Sequence, residues 1–190
     1  MNKTVFIDRD GVINRDSPDY ITSVEKFEFL PGSLDAIRTL TLHHYDIIII
    51  TNQSVIGRGM ITSDTLDQIF MKMKKGVEAH GGRLKDIFFC PHTPDDKCVC
   101  RKPKPGMIFS ARDKHGIDLK QSCMIGDSAK DILCSKNAGI GRAILVRTGN
   151  GPKALLELQG KSIVPDHVAN DLLDAADWLI DKDHSRDLHT

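Results

Sequence analysis

Three short polar segments of the sequence each follow an apolar run and contain small acidic or hydroxyl side chains. They are "DRDG" at 8–11, "TNQS" at 51–54 and "GDSAKD" at 126–131. Such side chains suit phosphoryl transfer, because a carboxylate can attack phosphorus, hydroxyl and amide groups can donate to phosphoryl oxygens, and paired carboxylates can bind a divalent cation. Each segment alone is also typical of an ordinary turn or helix cap. The case for a site depends on whether the fold brings the three together.

The elements around these segments predict such a fold. Apolar and β-branched runs predict strands at 4–7, 45–50, 86–90, 123–126 and 142–146. Helical spacing and capping residues predict helices at 32–44 with Ser33 as N-cap, 62–82 with Thr62 and Ser63 at its start, 106–116, 128–139 and 171–180. This alternation is typical of an α/β protein, and we expect a Rossmann-like three-layer sandwich around a central parallel sheet. Ligands of such sheets bind beyond the carboxyl ends of the strands, where all three polar segments lie.

The length of 190 residues predicts a single domain over 1–190, with a polar tail after about 181 that we expect to fray. Lys+Arg and Asp+Glu are both 26, so the net charge of zero disfavours nucleic acid or an anionic membrane as a partner. No apolar run approaches the length of a transmembrane helix, and the start has no signal-peptide pattern. We therefore expect a cytoplasmic protein, and a monomer.

A fourth segment, "CPHTPDDKCVCRK", has the spacing of a metal site. Cys90, His92, Cys98 and Cys100 form a C-x-H-x5-C-x-C pattern. Four such ligands suit tetrahedral Zn²⁺, and a set of this kind without an open position is structural rather than catalytic. The alternatives are a buried strand cysteine with incidental neighbours, and a redox pair without the usual two-residue spacing. Cys123 and Cys134 are expected in the core, and His43, His44 and His115 at solvated helix ends.

The motifs "FIDRDGVIN", "TNQS", "RKPKPG" and "GDSAKD" together resemble those of the haloacid dehalogenase-like phosphohydrolases, over about residues 5–149. The resemblance implies that Asp8 is the nucleophile, that Asp10 is the general acid and base, and that Thr51, Asn52 and Lys102 bind the phosphoryl group. It further implies Mg²⁺ bound by the Asp8 carboxylate, the Asp10 backbone carbonyl and Asp127, with Asp131 supporting these ligands from behind. The gaps between motifs are too short for a cap domain, so loops at 14–21 and 53–59 are expected to wall the site.

Within this family, the zinc loop and the segments "FEFLPG", "CRKPKPGM" and "LVRTGNG" are most similar to the members acting on D-glycero-D-manno-heptose 1,7-bisphosphate. This implies a cytosolic phosphatase that removes the C7 phosphate on the route to the nucleotide-activated heptose of lipopolysaccharide core, with a phosphorylated sugar as its small-molecule partner. The residues then expected at the substrate are Asp16, Asp19, Tyr20, Thr51, Asn52, Gln53, Ser54, Arg101 and Lys102.

Three alternatives remain at this point. Histidinol-phosphate phosphatases share the zinc loop and its short spacing. A polynucleotide 3′-phosphatase shares "DxDG" but would need a basic groove. A zinc-binding interaction module is disfavoured by the neutral charge and by the position of the cysteines between the other motifs. Ser128 stands where some heptose enzymes have Lys, so no phosphate-binding role is assigned to it.

Overall fold

The computed structural model describes residues 3–187, with side chains as far as residue 185. Its strands are β1 (Thr4–Ile7), β2 (Asp46–Asn52), β3 (Asp86–Cys90), β4 (Cys123–Gly126), β5 (Arg142–Val146) and β6 (His167–Ala169). They form one parallel sheet in the order β3-β2-β1-β4-β5-β6. The central strands are buried on both faces, which is why their sequences are continuous apolar runs rather than alternating ones.

Six helices cover the two faces of this sheet. They are α1 (Ser33–Leu42), α2 (Ser63–Ala79), α3 (Gly106–His115), α4 (Ala129–Ala138), α5 (Gly151–Gly160) and α6 (Leu172–Asp187). The buried cluster on one face joins α1, α2 and α6 to side chains such as Val5, Ile47 and Ile125. On the other face, α3, α4 and α5 pack on Phe6, Ile48 and Leu145. The predicted three-layer α/β sandwich is confirmed.

The strand order reverses between β1 and β4, and this reversal sets the position of the site. β1 continues to β2 and β3 on one side, whereas β4, β5 and β6 lie on the other. Ile7 is in register with both Ile49 and Ile125. Asp8 and Asp127 follow β1 and β4, and Thr51 is the penultimate residue of β2. These three residues therefore lie at the same edge of the sheet, at the crevice where ligands of such sheets bind.

Several boundaries differ from the sequence prediction. Ser33 is not the N-cap of α1: Gly32 takes that position, and the buried Ser33 hydroxyl donates to the Leu30 carbonyl instead. Thr62 does cap α2, accepting from the Thr65 N–H. The sequence prediction contained no α5 and no β6, because α5 begins with Gly-Pro and β6 has only three residues.

The segment after 181, which was predicted to be a fraying tail, is helical where the structure describes it. α6 continues to Asp187, and Asp183, which is 5% exposed, receives hydrogen bonds from Tyr45 and Arg142. Residues 188–190 lie outside the described part. His115 also departs from its prediction, since it is partly buried against Asp86 rather than solvated.

None of the helices in 3–187 has the length and apolar character that a membrane span requires.

Candidate active site

The end of β1 brings Asp8 against Lys102. The Asp8 Oδ1 atom accepts from the Arg9 backbone N–H at 2.7 Å and lies 2.8 Å from Lys102 Nζ. Lys102 is 3% exposed, and its ammonium also contacts the Ile50 carbonyl at 2.8 Å and Asp131 Oδ1 at 2.6 Å. Burial by itself would lower the pKa of Lys102, but the charges of Asp131 and Asp8 raise it above its ordinary value. A permanent cation therefore stands beside the Asp8 carboxylate.

Three carboxylates meet at this point. One oxygen from each of Asp8, Asp127 and Asp131 lies within 4.8 Å of the others. Burial raises the pKa of Asp8 well above its ordinary value, and although Lys102 opposes this, repulsion from Asp131 and Asp127 adds to it. Burial and then the charge of Asp131 raise the pKa of Asp127 to about 7.

This carboxylate cluster fits a divalent cation. Both Asp131 oxygens already have partners, Lys102 at Oδ1 and the Ser128 N–H and hydroxyl at Oδ2, so Asp8 and Asp127 are the carboxylates better placed to bind an ion. Hard oxygen ligands at this spacing suit Mg²⁺, whose ligands lie at about 2.1 Å and which retains several waters. A bound cation would also offset the repulsion that raises both pKa values.

Asp10 is held by a separate set of donors. Arg9, 1% exposed, donates to both Asp10 carboxylate oxygens at 2.7 and 2.8 Å. The amides of Asn14 and Gln53 donate to Asp10 at 2.9 and 2.8 Å. Burial by itself would raise the pKa of Asp10, but the charge of Arg9 and these hydrogen bonds lower it below its ordinary value. Arg9 was not singled out from the sequence; its only signal was its place between the two aspartates.

The "TNQS" residues have distinct positions. Thr51 is buried, and its Oγ1 accepts from Gln53 Nε2 at 2.9 Å. The Asn52 amide pairs with the backbone of Lys102, accepting from its N–H at 3.0 Å and donating to its carbonyl at 3.3 Å. Asn52 therefore connects β2 to the segment that carries Lys102. Gln53 lies behind Asp10, whereas Ser54 lines the open cavity.

That cavity, of about 290 Å³, opens above Asp8 at the carboxyl edge of the sheet. Most of the residues that the sequence assigned to the site line this cavity. They are Asp8, Asp10, Asp16, Tyr20, Thr51, Asn52, Ser54, Arg101, Lys102 and Asp127. Four further residues were not assigned there from sequence: Arg58, Ser128, Lys130 and Asn150. Lys130 stands in the first turn of α4, at the positive end of the helix dipole. The charge of Lys130 and the helix dipole therefore both contribute positive potential at the site.

The two loops that were expected to wall the site do so. Tyr20 comes from one loop and Arg58 from the other, and the Arg58 guanidinium lies 5.9 Å from the centroid of the Tyr20 ring. Asp16 accepts from the Asn150 side chain at 3.1 Å. Asp19 is exposed and is not among the residues that line the cavity.

A larger cavity, of about 430 Å³, lies at the opposite edge of the sheet, between residues such as Thr4, Lys85 and Gln121. It contains none of the carboxylate cluster. Strand polarity and the grouping of reactive side chains favour the smaller cavity as the catalytic one.

The cysteine segment forms a compact cluster beside the cavity. The Cys100 sulfur lies 3.2 Å from that of Cys90 and 3.5 Å from that of Cys98, and His92 Nδ1 lies 3.3 Å from it. A tetrahedral zinc site with Zn–S bonds of about 2.3 Å places its sulfurs about 3.8 Å apart, so this donor set could hold Zn²⁺ with little movement. Burial and the neighbouring thiols raise the pKa of Cys90 to about 12.

The Arg101 guanidinium donates to the His92 carbonyl at 3.0 Å, which connects the cysteine cluster to the cavity wall.

The fold and this site define a hydrolase of the haloacid dehalogenase-like (HAD-like) class. The HAD-hydrolase-like family model matches residues 99–175. With the relatives described next, this shows that the chain belongs to that family, and it is a phosphoric monoester hydrolase.

The relatives are all named as heptose-1,7-bisphosphate 7-phosphatases. The D-glycero-beta-D-manno-heptose-1,7-bisphosphate 7-phosphatase of Bordetella bronchiseptica is 40% identical over 178 residues, covering 94% of this chain and 98% of that protein. The Neisseria meningitidis protein of the same name is 39% identical over 180 residues, covering 94% and 95%. A Photorhabdus laumondii relative, 39% identical over 155 residues and covering 78% of this chain and 84% of that protein, is named for the alpha anomer.

Solved structures of proteins with similar names have the same fold as this chain. The D,D-heptose 1,7-bisphosphate phosphatase of B. bronchiseptica, in complex with magnesium and phosphate, superposes with a TM-score of 0.88 at 38% identity, covering 95% of this chain and 99% of that one. The Burkholderia thailandensis enzyme has a TM-score of 0.71 at 33% identity, covering 94% and 99%.

Proposed function

We propose that this chain is a Mg²⁺-dependent phosphatase that removes the C7 phosphate of D-glycero-D-manno-heptose 1,7-bisphosphate through an aspartyl-phosphate on Asp8. The observation that carries this proposal is the convergence of Asp8, Lys102 and Asp127 at the strand-order reversal, below an open cavity. The names of the relatives support the substrate.

In the first step, an Asp8 carboxylate oxygen attacks phosphorus and the bond to the sugar oxygen breaks. Lys102, fixed 2.8 Å from Asp8, stabilises the charge on the transferring phosphoryl group. Thr51 lines the same cavity as Asp8, and its hydroxyl would donate a hydrogen bond to a phosphoryl oxygen. When bound by Asp8, the Asp10 carbonyl and Asp127, Mg²⁺ would supply Lewis-acid charge neutralisation.

Asp10 would manage the proton in both steps. It would give a proton to the departing sugar oxygen, then accept one from the water that hydrolyses the aspartyl-phosphate. The donors that surround Asp10 favour its carboxylate form, which suits the second step.

A bisphosphate has a second dianion, and the cavity wall supplies cations for it. Arg101 lines the cavity and is anchored to the cysteine loop through the His92 carbonyl. Zn²⁺ held by Cys90, His92, Cys98 and Cys100 would fix this loop and so lower the cost of ordering Arg101. Asp16 and Tyr20, on the facing wall, would contact the sugar.

Phosphate release from a panel of substrates tests the proposal. The panel comprises both anomers of the heptose 1,7-bisphosphate, histidinol phosphate, fructose 1,6-bisphosphate and a 3′-phosphorylated oligonucleotide. We expect the highest kcat/KM for a heptose bisphosphate, with loss of the C7 phosphorus signal by NMR. Relatives are named for both anomers, so both are included.

A higher kcat/KM for histidinol phosphate would contradict the substrate while leaving the chemistry intact. Activity that survives removal of Mg²⁺ by chelation would contradict the metal requirement. A single domain, a monomer and a cytoplasmic location are further parts of the proposal, and sedimentation equilibrium tests the oligomeric state.

A further inference from the structure

One residue near the carboxylate cluster has contacts that the mechanism above does not use. Asn150 follows β5 and is the N-cap residue of α5, where asparagine ordinarily accepts a hydrogen bond from the first turn of its own helix. No such bond is made here. The Asn150 side chain turns instead toward the cavity, which it lines. Helix capping by this side chain therefore does not account for an asparagine at this position.

The contacts of Asn150 converge on one oxygen of Asp127. Its backbone N–H donates to Asp127 Oδ2 at 2.7 Å, and its side-chain amide lies 3.3 Å from the same atom. The amide also donates to Asp16 Oδ2 at 3.1 Å. A single side chain thus connects an expected Mg²⁺ ligand to an exposed carboxylate on the wall of the cavity.

Two glycines close the space around the same oxygen. A Cβ atom on Gly11 would lie 2.1 Å from Asp127 Oδ2, and one on Gly149 would lie 2.2 Å from it. Both glycines have positive φ, 77° and 55°, and the Thr148 hydroxyl donates to the Gly11 carbonyl, which ties their two turns together. Oδ2 is therefore enclosed by protein, and Oδ1 is the oxygen left to face the carboxylate cluster.

We propose that Asn150 is a positioning residue of the cation site: it holds Asp127 Oδ2 so that Oδ1 faces the ion, and it ties this ligand to Asp16 on the cavity wall. The inference rests on the proposed function, because it takes Asp127 to be a Mg²⁺ ligand. Hydrogen bonds to the non-ligating atoms of a metal ligand orient it and raise metal affinity, and their loss typically weakens binding by about 10- to 100-fold.

The test measures cation binding without substrate. Mn²⁺, used in place of Mg²⁺, is titrated into protein that has been freed of Mg²⁺ by a chelating resin and checked to retain its zinc, and free Mn²⁺ is followed by electron paramagnetic resonance. The variants are N150A, N150S, D127N and, as a matched control on the exposed face of α5, Q159A. We expect the Mn²⁺ Kd to rise about 10-fold in N150A and less in N150S, which keeps a short donor, while Q159A matches the wild type.

Kinetics with the heptose bisphosphate give a second readout. In N150A we expect the Mg²⁺ concentration for half-maximal activity to rise by a similar factor, with kcat at saturating Mg²⁺ within about threefold of wild type. A residue that served only the fold would instead lower kcat at every Mg²⁺ concentration without moving the half-maximal point.

The outcomes separate the two proposals. If D127N loses Mn²⁺ binding while N150A and N150S bind it within twofold of wild type, the role of Asn150 is wrong and the metal site stands. If D127N binds Mn²⁺ as the wild type does, the metal site itself is wrong, and the inference falls with it. If N150A does not fold, the Mn²⁺ Kd of N150S still tests the role of Asn150.

Discussion

At the scale of single residues, the proposed nucleophile, Asp8, is distinguished by its neighbours more than by its residue type. Asp8 combines a buried setting that raises its pKa with a lysine 2.8 Å away that opposes the shift. Neither property can be read from "DRDG", because Lys102 is distant in the chain. The resemblance of the motifs nevertheless assigned both residues to one site, and the structure brings their side chains into contact.

Asp8→Asn should lower kcat by at least about 10⁴-fold, because an amide cannot form the aspartyl-phosphate. The cysteine cluster is a separate structure, so the zinc content of this variant should stay near one per chain. Steady-state phosphate release measures kcat, and inductively coupled plasma mass spectrometry measures the zinc content. Activity near that of the wild type would refute the nucleophile assignment.

Asp10→Asn should discriminate between leaving groups. With a sugar phosphate we expect kcat/KM to fall about 10²- to 10³-fold, since the sugar oxygen needs a proton as it leaves. With p-nitrophenyl phosphate, whose leaving group needs no acid, kcat/KM should fall much less. An equal loss of kcat/KM for both substrates would mean that Asp10 does not donate a proton to the leaving group and only positions neighbouring residues.

At the scale of elements, one segment agrees with what its sequence suggests and another departs from it. The cysteine segment was predicted to be a structural metal site, and its four side chains lie outside the carboxylate cluster, with Arg101 connecting the segment to the cavity wall. The end of α6 looks like a loose polar tail, yet it contributes the buried Asp183.

Cys98→Ser or Cys100→Ser should remove zinc and lower the free energy of unfolding, since a structural zinc site contributes directly to folding. We expect KM for the bisphosphate to rise more than kcat falls, because Asp8 is untouched while Arg101 loses its support. Zinc content, urea unfolding and steady-state kinetics provide the measurements. Cys123→Ala is the control, because this buried cysteine belongs to the core rather than to the cluster and its variant should keep its zinc.

Asp183→Asn should reduce the free energy of unfolding by about 2–3 kcal/mol near pH 7, because it removes the charge that Arg142 and Tyr45 contact. Burial by itself would raise the pKa of Asp183, but the hydrogen bonds from Tyr45 and Arg142 lower it. The carboxylate therefore stabilises the fold above its unfolded pKa of about 3.9, and this contribution is lost as the pH falls through the lower folded value.

Urea unfolding of wild type and D183N from pH 7 down to pH 3 checks this prediction. The difference between the two should be full near neutrality and shrink below about pH 4. Asp177→Asn, at an exposed position of the same helix, should behave as the wild type does. A pH-independent difference would show that shape rather than charge is responsible.

At the scale of the whole molecule, the cavity of a chain with zero net charge brings together cations and carboxylates. Arg58, Arg101, Lys102 and Lys130 line it, together with Asp8, Asp10, Asp16 and Asp127. A divalent cation bound by these carboxylates would give the site a net positive charge, and the attraction of such a site for a phosphorylated ligand is screened by salt.

For the heptose bisphosphate, kcat/KM should therefore fall several-fold, about 5- to 10-fold, as NaCl rises from about 0.05 to 0.5 M. Replacing both Arg58 and Lys130 by Gln should flatten this dependence while leaving kcat for p-nitrophenyl phosphate within about twofold, since neither residue contacts Asp8. Parallel salt profiles for the wild type and the double variant would contradict the idea.

The sequence by itself determined the fold class, the strand ends that carry the reactive residues and the metal-like spacing of the cysteines. These are properties of local residue type, periodicity and order along the chain, and parallel strands then bring their ends to one edge. Only the tertiary structure decided which side chains meet: Arg9 with Asp10, Asn52 with the backbone of Lys102, and Asn150 with Asp127. Such pairings depend on strand register, on side-chain direction and on loops from distant parts of the chain. The same holds for Asp183, whose polar surroundings in sequence gave no sign of the buried partners that the packing of α6 provides.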